Sequence, residues 1–346
     1  MVKKIDTMLI RMIGHSKGQF IAVLTIIVIG VATFTALNMT AINMNNTVET
    51  YYRENNFPNL FLQTAADPSQ EAERLRGIDG VREAMGRVAM DVPMVTDNEN
   101  ERVNLRLITS TAEKGELCRS TLLKGKMISG KGNEAMLIEQ FAKARGIDVG
   151  DEIRIQAAGR QRTLKITGIV ANPEYIYMME NTQAIMPDDK SFGVCYVSEQ
   201  FGQEAAGLAG NCNEILISYQ DGADEDVLID KVENTLDVYG VRQTIKLKDQ
   251  MSNAVIQEEL GQLDRMAGSI PIVFLLVADL ILMMMLSRLV KKDRIKIGVL
   301  KSMGYRNGQV LMHYVKYAMV CGILGGAAGA ALGMALAGGM TRLYLD

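Results

Sequence analysis

Hydrophobic positions in this chain gather into three long runs, separated by one long mixed interval and one short basic one. Residues 20–37 run for eighteen positions without a charge, with only Thr25, Thr33 and Thr35 as polar interruptions. With a flanking residue or two, that is enough to cross a bilayer as a helix. Residues 271–289 are apolar through their middle except for Asp279, and residues 315–336 are apolar and rich in glycine and alanine. Three spans are therefore predicted, at 19–37, 269–289 and 313–340. A secretory signal would show a shorter apolar core and a small-x-small cleavage site, so the first run reads as a retained anchor. Before it, residues 1–18 form a basic leader in which Ile5, Met8, Leu9, Met12 and Ile13 keep helical spacing, the pattern of a helix lying along a membrane surface.

The interval 38–268 has a different periodicity. Residues 59–63 read as a strand, 68–76 as a helix and 81–95 as strand broken by Pro93; near the far end, 214–219, 224–236 and 242–247 repeat strand, helix, strand. Those two halves, 57–110 and 212–248, are predicted to combine into one α+β subdomain. Between them, within 111–200, glycine-rich turns separate candidate strands at 135–138, 152–157, 163–170 and 194–197, which reads as a mostly β insertion. Polar but helical tracts flank the whole. Residues 38–56 follow the first apolar run and 249–268 lead into the second without a stop signal. They are predicted to be paired stalk helices, acting as levers or as simple posts.

Charge assigns the sides. Between Ile42 and Ser269 there are 24 Lys plus Arg against 36 Asp plus Glu, whereas the rest of the chain has 13 against 4. Short basic segments beside membrane spans stay in the cytosol, so the acidic interval is expected outside and the N-terminus inside. No aromatic-interleaved basic patch points to nucleic acid. The most basic piece is 287–309, where seven Lys or Arg lie between Arg288 and Arg306 against one acid, Asp293. Within it Ile295, Val299 and Met303 recur every four residues, on one face of a short helix that Gly304 would end. That face has two readings: contact with lipid headgroups or neighbouring spans, or a docking site for a partner.

Arg-x-Lys-Ile-Gly-Val-Leu-Lys-Ser-Met-Gly-Tyr at 294–305 resembles the signature that follows the second span in the FtsX-like permeases of ABC transporters, the group that includes the MacB-type exporters. A looser resemblance, to the MacB-type outer domain, covers Asn133, Glu134, 146–151 and 168–170. The resemblance implies an integral membrane α-helical fold, with three spans visible, and an α+β extracytoplasmic domain of MacB periplasmic-core type in a bacterial plasma membrane. It implies that residues 290–312 form a coupling-helix region contacting a separate ABC ATPase through Lys292, Arg294, Ile295, Ile297, Gly298, Val299, Leu300, Lys301, Met303 and Gly304. Cargo in the family is lipid, lipoprotein or peptide. Two alternatives stand beside export: regulation of an extracytoplasmic protein such as a cell-wall hydrolase, as for FtsX, and a membrane-anchored adaptor without an ATPase. MacB-type permeases have a fourth span, and this sequence stops after the third. The resemblance therefore implies a truncated chain or the first half of a longer permease, completed by a second half or a second copy.

The remaining signals are local. No G-x-x-x-x-G-K-S/T loop is present to cradle phosphates, so no cofactor is expected here and ATP belongs to the partner. His15 and His313 form no metal constellation with the acids of the long interval. Gly14-His15-Ser16-Lys17-Gly18 matches the nucleophile-elbow pattern but sits at a membrane edge, without the strand and helix that the elbow needs; a non-catalytic subunit is expected. Asp279 in mid-span costs a few kcal/mol unless it is neutral, paired or facing a cavity. It reads either as a substrate-path or conformational-switch residue or, more plainly, as a protonated acid bonded to Thr25, Thr33 or another span. Gly322 and Gly326, and likewise Gly325, Gly329 and Gly333, lie four apart and predict close packing against the first or second span, against spans missing from this sequence, or against another copy. Cys118, Cys195, Cys212 and Cys321 make no disulfide framework, and a Cys195–Cys212 bridge stays open beside free thiols.

Overall fold

The computed structural model describes residues 11–14, 17–98, 100–113, 115–130, 132–180 and 188–345. Most of the basic leader, with His15 and Ser16, lies outside them. Two compact units divide the chain: a mixed α/β unit, Val48–Gln257, and a helical unit made from the segments up to Thr47 and from Glu258 onwards.

Helix α1 (Lys17–Glu54) contributes to both units. In the mixed unit, β1 (Leu60–Pro68), β2 (Val81–Arg87), β10 (Asn211–Tyr219) and β11 (Gln243–Lys246) form a four-stranded antiparallel sheet in the order β11-β1-β10-β2. Side chains alternate across it with period two. Leu60, Leu62, Ile215 and Ile217 share a core with Leu75 of α2 (Glu71–Leu75) and with Leu228, Val232 and Leu236 of α5 (Glu225–Leu236), while Phe61 and Leu216 belong to a separate cluster. Helix α5 starts where Asp224 accepts hydrogen bonds from the N–H groups of Asp226 and Val227, an N-cap.

The second sheet runs β5 (Thr121–Gly125), β8 (Arg160–Ala171), β6 (Glu134–Ile138), β9 (Phe192–Val197), β4 (Asn104–Thr109), β3 (Ala89–Val95), β7 (Glu152–Ala157). Strand β7 also pairs with β8, so the sheet closes on itself. Strand β9 is buried along its whole length, with α3 (Glu139–Arg145) packed against it. A Cβ at Gly193 would sit 2.5 Å from Cδ2 of Phe141, so glycine is what lets α3 lie this close. A further helix, α4 (Glu199–Ala206), follows β9.

Strands β3 and β4, expected in the 57–110 subdomain, belong instead to the closed sheet. Only Val88 separates β2 from β3, and no turn residue marks the change of sheet. The crossing is held by side chains: Thr109 Oγ1 accepts from Val88 N (2.9 Å), while Asn213 accepts from Ala89 N and donates to Ala89 O, both at 2.8 Å. The Cys195–Cys212 bridge is not formed. All four cysteines are free and buried, Cys195 and Cys212 sit in the cores of different sheets, and burial pushes both thiols up to about 12, which makes them inert.

The helical unit consists of α1, α6 (Met251–Lys292), α7 (Arg294–Ser302) and α8 (Asn307–Leu345). By length and composition, α1, α6 and α8 can each cross a membrane, and α1 and α6 run unbroken through the polar tracts beside their apolar runs. Helix α6 buries Ala267, Pro271, Ala278, Met285 and Leu289, spaced by fours and sevens along one seam. Around that seam Val23, Met285, Leu289, Tyr314, Tyr317 and Cys321 form the unit's main core.

Candidate functional site

The chain turns at Asp293, between α6 and α7. Asp293 is buried, its carboxylate accepts from Lys296 Nζ (2.7 Å), and its carbonyl accepts from Ile297 N (2.9 Å). Ile297 packs on the Tyr314 cluster and, with Leu300, lines a groove against Val310 and His313 of α8. On the other side Ile295, Val299 and Met303 are 82%, 53% and 67% exposed. Lys292, Arg294 and Lys301 are exposed around them, Gly298 has open space above it, and Gly304, at φ 90°, takes the left-handed turn past the helix end. Ile297, expected at a partner contact, is partly buried against the chain's own core cluster. Two residues along from Ile295, it is about 200° round the helix.

Asp279 is exposed on α6 among Leu276, Leu280 and Met283, which are exposed too. It makes no hydrogen bond to Thr25, to Thr33 or to another described residue; the packed seam runs through its neighbour Ala278, about 100° away. The glycine stripes part company. A Cβ on Gly325 would meet Ile27 Cγ2 at 2.7 Å, one on Gly329 the Val28 carbonyl oxygen at 2.8 Å, and one on Gly333 the Ala32 carbonyl oxygen at 2.7 Å, whereas Gly322 and Gly326 have open space. The first set is the face that α8 lays on α1.

In the mixed unit both long helices end in side-chain sockets. At the end of α1, Asn55 O and Asn56 O accept from Arg119 N and Cys118 N (both 2.9 Å), and Asn55 Oδ1 accepts from Thr121 Oγ1 (2.9 Å). At the start of α6, Gln250 Oε1 accepts from Asn253 N (2.8 Å) as a helix cap, and its Nε2 donates to Glu174 O (2.9 Å). Ser252 Oγ accepts from Tyr177 N (3.0 Å), and Tyr52 of α1 donates to Asn253 Oδ1 (3.1 Å), tying the two helices together. Glu174 lies on a turn capped by Asn172, and its carboxylate accepts from Arg87 at the end of β2 (2.8 Å). Arg87 also donates to Glu214 of β10 (2.6 Å). Burial alone would lower its ionisation, but Glu174 and Glu214 more than reverse this and raise it. This buried triad links the two sheets and backs the α6 socket. None of Arg87, Glu174, Glu214 or Gln250 stood out in the sequence; the only signal was the Asn172-Pro173 turn before Glu174.

Truncating Gln250 to alanine removes the cap and one buried hydrogen bond, each worth about 1 kcal/mol. The expected result is faster amide exchange at residues 251–254 of the Gln250→Ala chain, with protection in β1 and β10 retained.

Two family models match the chain. The MacB-like periplasmic core domain covers residues 20–235, well over half of it, and the FtsX-like permease C-terminal domain covers residues 268–344. The chain belongs to the FtsX-like, MacB-type permeases. The first match takes in most of α1, the closed sheet and all of the four-stranded sheet but β11; the second takes in α7, α8 and the apolar part of α6. Among solved structures, the periplasmic region of MacB from Actinobacillus actinomycetemcomitans is 11% identical over 62% of this chain and 97% of that one, with a TM-score of 0.36. The extracellular domain of the ABC-type transporter YknZ from Gram-positive bacteria is 12% identical over 59% and 94%, with a TM-score of 0.33. No curated protein matches the chain. It is thus a multi-pass membrane protein of a permease family that works with an ABC ATPase.

Proposed function

We propose that this permease is the transmembrane subunit of an ABC transporter of the bacterial plasma membrane. It takes ATP-driven motion from a separate ATPase at α7 and delivers it through α6 and α1 to an extracytoplasmic mixed unit, for export or extraction of lipid, lipoprotein or peptide cargo. The N-terminus and α7 are cytosolic in this reading, following the distribution of Lys and Arg, and a second half or second copy completes the pathway. The observation that carries it is the two-faced build of α7. Ile297 anchors the helix to α8, while Ile295, Val299 and Met303 present apolar surface inside a basic segment, as a helix seated in a protein groove requires. The sockets of Asn55 and Gln250 would let a tilt of either long helix move the two sheets.

Burying a large aliphatic side chain contributes about 1.5–3 kcal/mol, so Ile295→Asp with Val299→Asp should weaken docking far more than tenfold. The test is recovery of an azido-ATP-labelled subunit with the full chain from native membranes. The double variant is expected to lose the labelled subunit and keep its melting temperature, whereas Ile297→Asp lowers the melting temperature itself. Undiminished recovery with a fully folded double variant overturns the docking assignment.

A further inference from the structure

Strand β1 begins at Leu60, which pairs with Lys246 on the approach to α6. Seven residues on, about 23 Å along an extended strand, the side chain of Asp67 is fully buried and forms no ion pair among the described residues. A buried ion without a counter-charge costs several kcal/mol, and such a group neutralises instead.

The elements packed round Asp67 offer it no cation. On β1 the Thr64 hydroxyl hydrogen-bonds to it. From α2 comes Glu71, itself buried, whose carboxylate is taken by Arg74 Nη1 at 3.0 Å to each oxygen and by the Tyr239 hydroxyl. Opposite on β10 stands Cys212, with Glu214 along the strand and Glu199 of α4 also acting on that thiol. Arg74 is exposed and committed to Glu71, Arg76 is turned to Glu83 and the Ala84 carbonyl, and Arg242 meets β1 through its backbone N–H, at Gln63 O. Glu73 and Asp237 are exposed. Burial, and after it the charge of Glu71, push the Asp67 carboxyl above the ordinary carboxylate value; the Thr64 bond pulls the other way without cancelling them.

The strand can give at this point. Pairing of β1 with β10 lapses between Gln63 and Asp67, and beyond the lapse it consists of Asp67 opposite Cys212 and Pro68 opposite Asn211, followed by Ser69 N donating to Gly210 O (3.2 Å) before the chain turns into α2.

We propose that Asp67 is a proton-controlled clasp: protonated, it lets the corner of β1 and α2, residues 67–75, close on the four-stranded sheet, and ionised, it loosens that corner. Closing the corner therefore takes up a proton. The stability gained this way is complete below the ordinary carboxylate value and is lost as pH rises through the raised one. A unit outside the cell meets changes of acidity directly; that placement alone rests on the permease reading, and the clasp needs neither ATPase nor cargo.

The full chain, with carbon-13 at its aspartate carboxyls, is titrated in phosphatidylcholine nanodiscs and followed by infrared spectroscopy and amide exchange. A protonated-carboxyl band is expected to persist after the exposed aspartates have ionised and to be missing from D67N. Protection of the amides of residues 69–75, corrected for intrinsic exchange, should fall about threefold or more over the pH range in which that band disappears, and stay within about twofold in D67N. Glu71→Gln, which takes away the neighbouring charge, should move the loss of the band to lower pH, and serves if D67N does not fold. The proposal fails if D67N removes no such band, if the band titrates with the exposed aspartates, if protection in parent and D67N depends on pH alike, or if E71Q leaves the band where it was. None of these outcomes bears on the α7 docking test.

Discussion

Replacing Arg87 with methionine should destabilise the mixed unit by about 3–5 kcal/mol, because it leaves the carboxylates of Glu174 and Glu214 buried without a counter-charge. The side chains involved are 3%, 9% and 7% exposed, so water cannot take over from the guanidinium. Against a total stability of about 5–15 kcal/mol, that loss decides whether the unit stays folded. The ionisation of Arg87 is raised by the pair of glutamates, so its contribution is complete below its unfolded value and constant across the accessible pH range. R87M/E174Q/E214Q, with the charges gone together, should recover most of the loss. Urea unfolding of the full chain, followed by amide exchange in β2 and β10, reads both effects. A loss below about 1 kcal/mol at neutral pH would show that the triad is not what joins the sheets. Because Glu174 O holds Gln250, protection at the start of α6 should fall in parallel.

That triad also marks where reading the sequence stops. The three spans were legible because lipid demands long uncharged runs, and α7 because apolar residues every fourth position stand out in a basic segment. Arg87 lies 87 residues from Glu174 and 127 from Glu214, and no local pattern reports a contact at that separation. The change of sheet at Val88 was hidden for a related reason: turn residues mark reversals, and the chain here passes extended from one sheet to the other. Strand β5 escaped notice because all five residues are exposed, so it shows no alternation. Asp279 and the glycine stripes were visible as chemistry, but periodicity says that a face exists and not what lies opposite. Within α8 it offered two small-residue faces, and packing uses one.

The choice between those faces gives the second large effect. Gly329→Val and Gly333→Val would set a Cβ 2.8 Å from the Val28 carbonyl oxygen and 2.7 Å from that of Ala32. Those are backbone atoms of α1, and unlike a flexible side-chain end they cannot swing aside. Overpacking costs about 1–3 kcal/mol per site even where side chains can yield, so the double variant should drive α1 and α8 apart. Gly322→Val with Gly326→Val, a change of identical composition on the same helix, meets open space and should alter stability by no more than about 0.5 kcal/mol. A disulfide between cysteines placed at Ile27 and Gly325, where the two helices touch, reports the separation. It should form in the parent chain and in the 322/326 variant and fail in the 329/333 variant, with thermal unfolding in detergent shifted down only in the last. If both pairs behave alike, glycine in α8 is tolerated and not required, and the contact with α1 is not what fixes the third span.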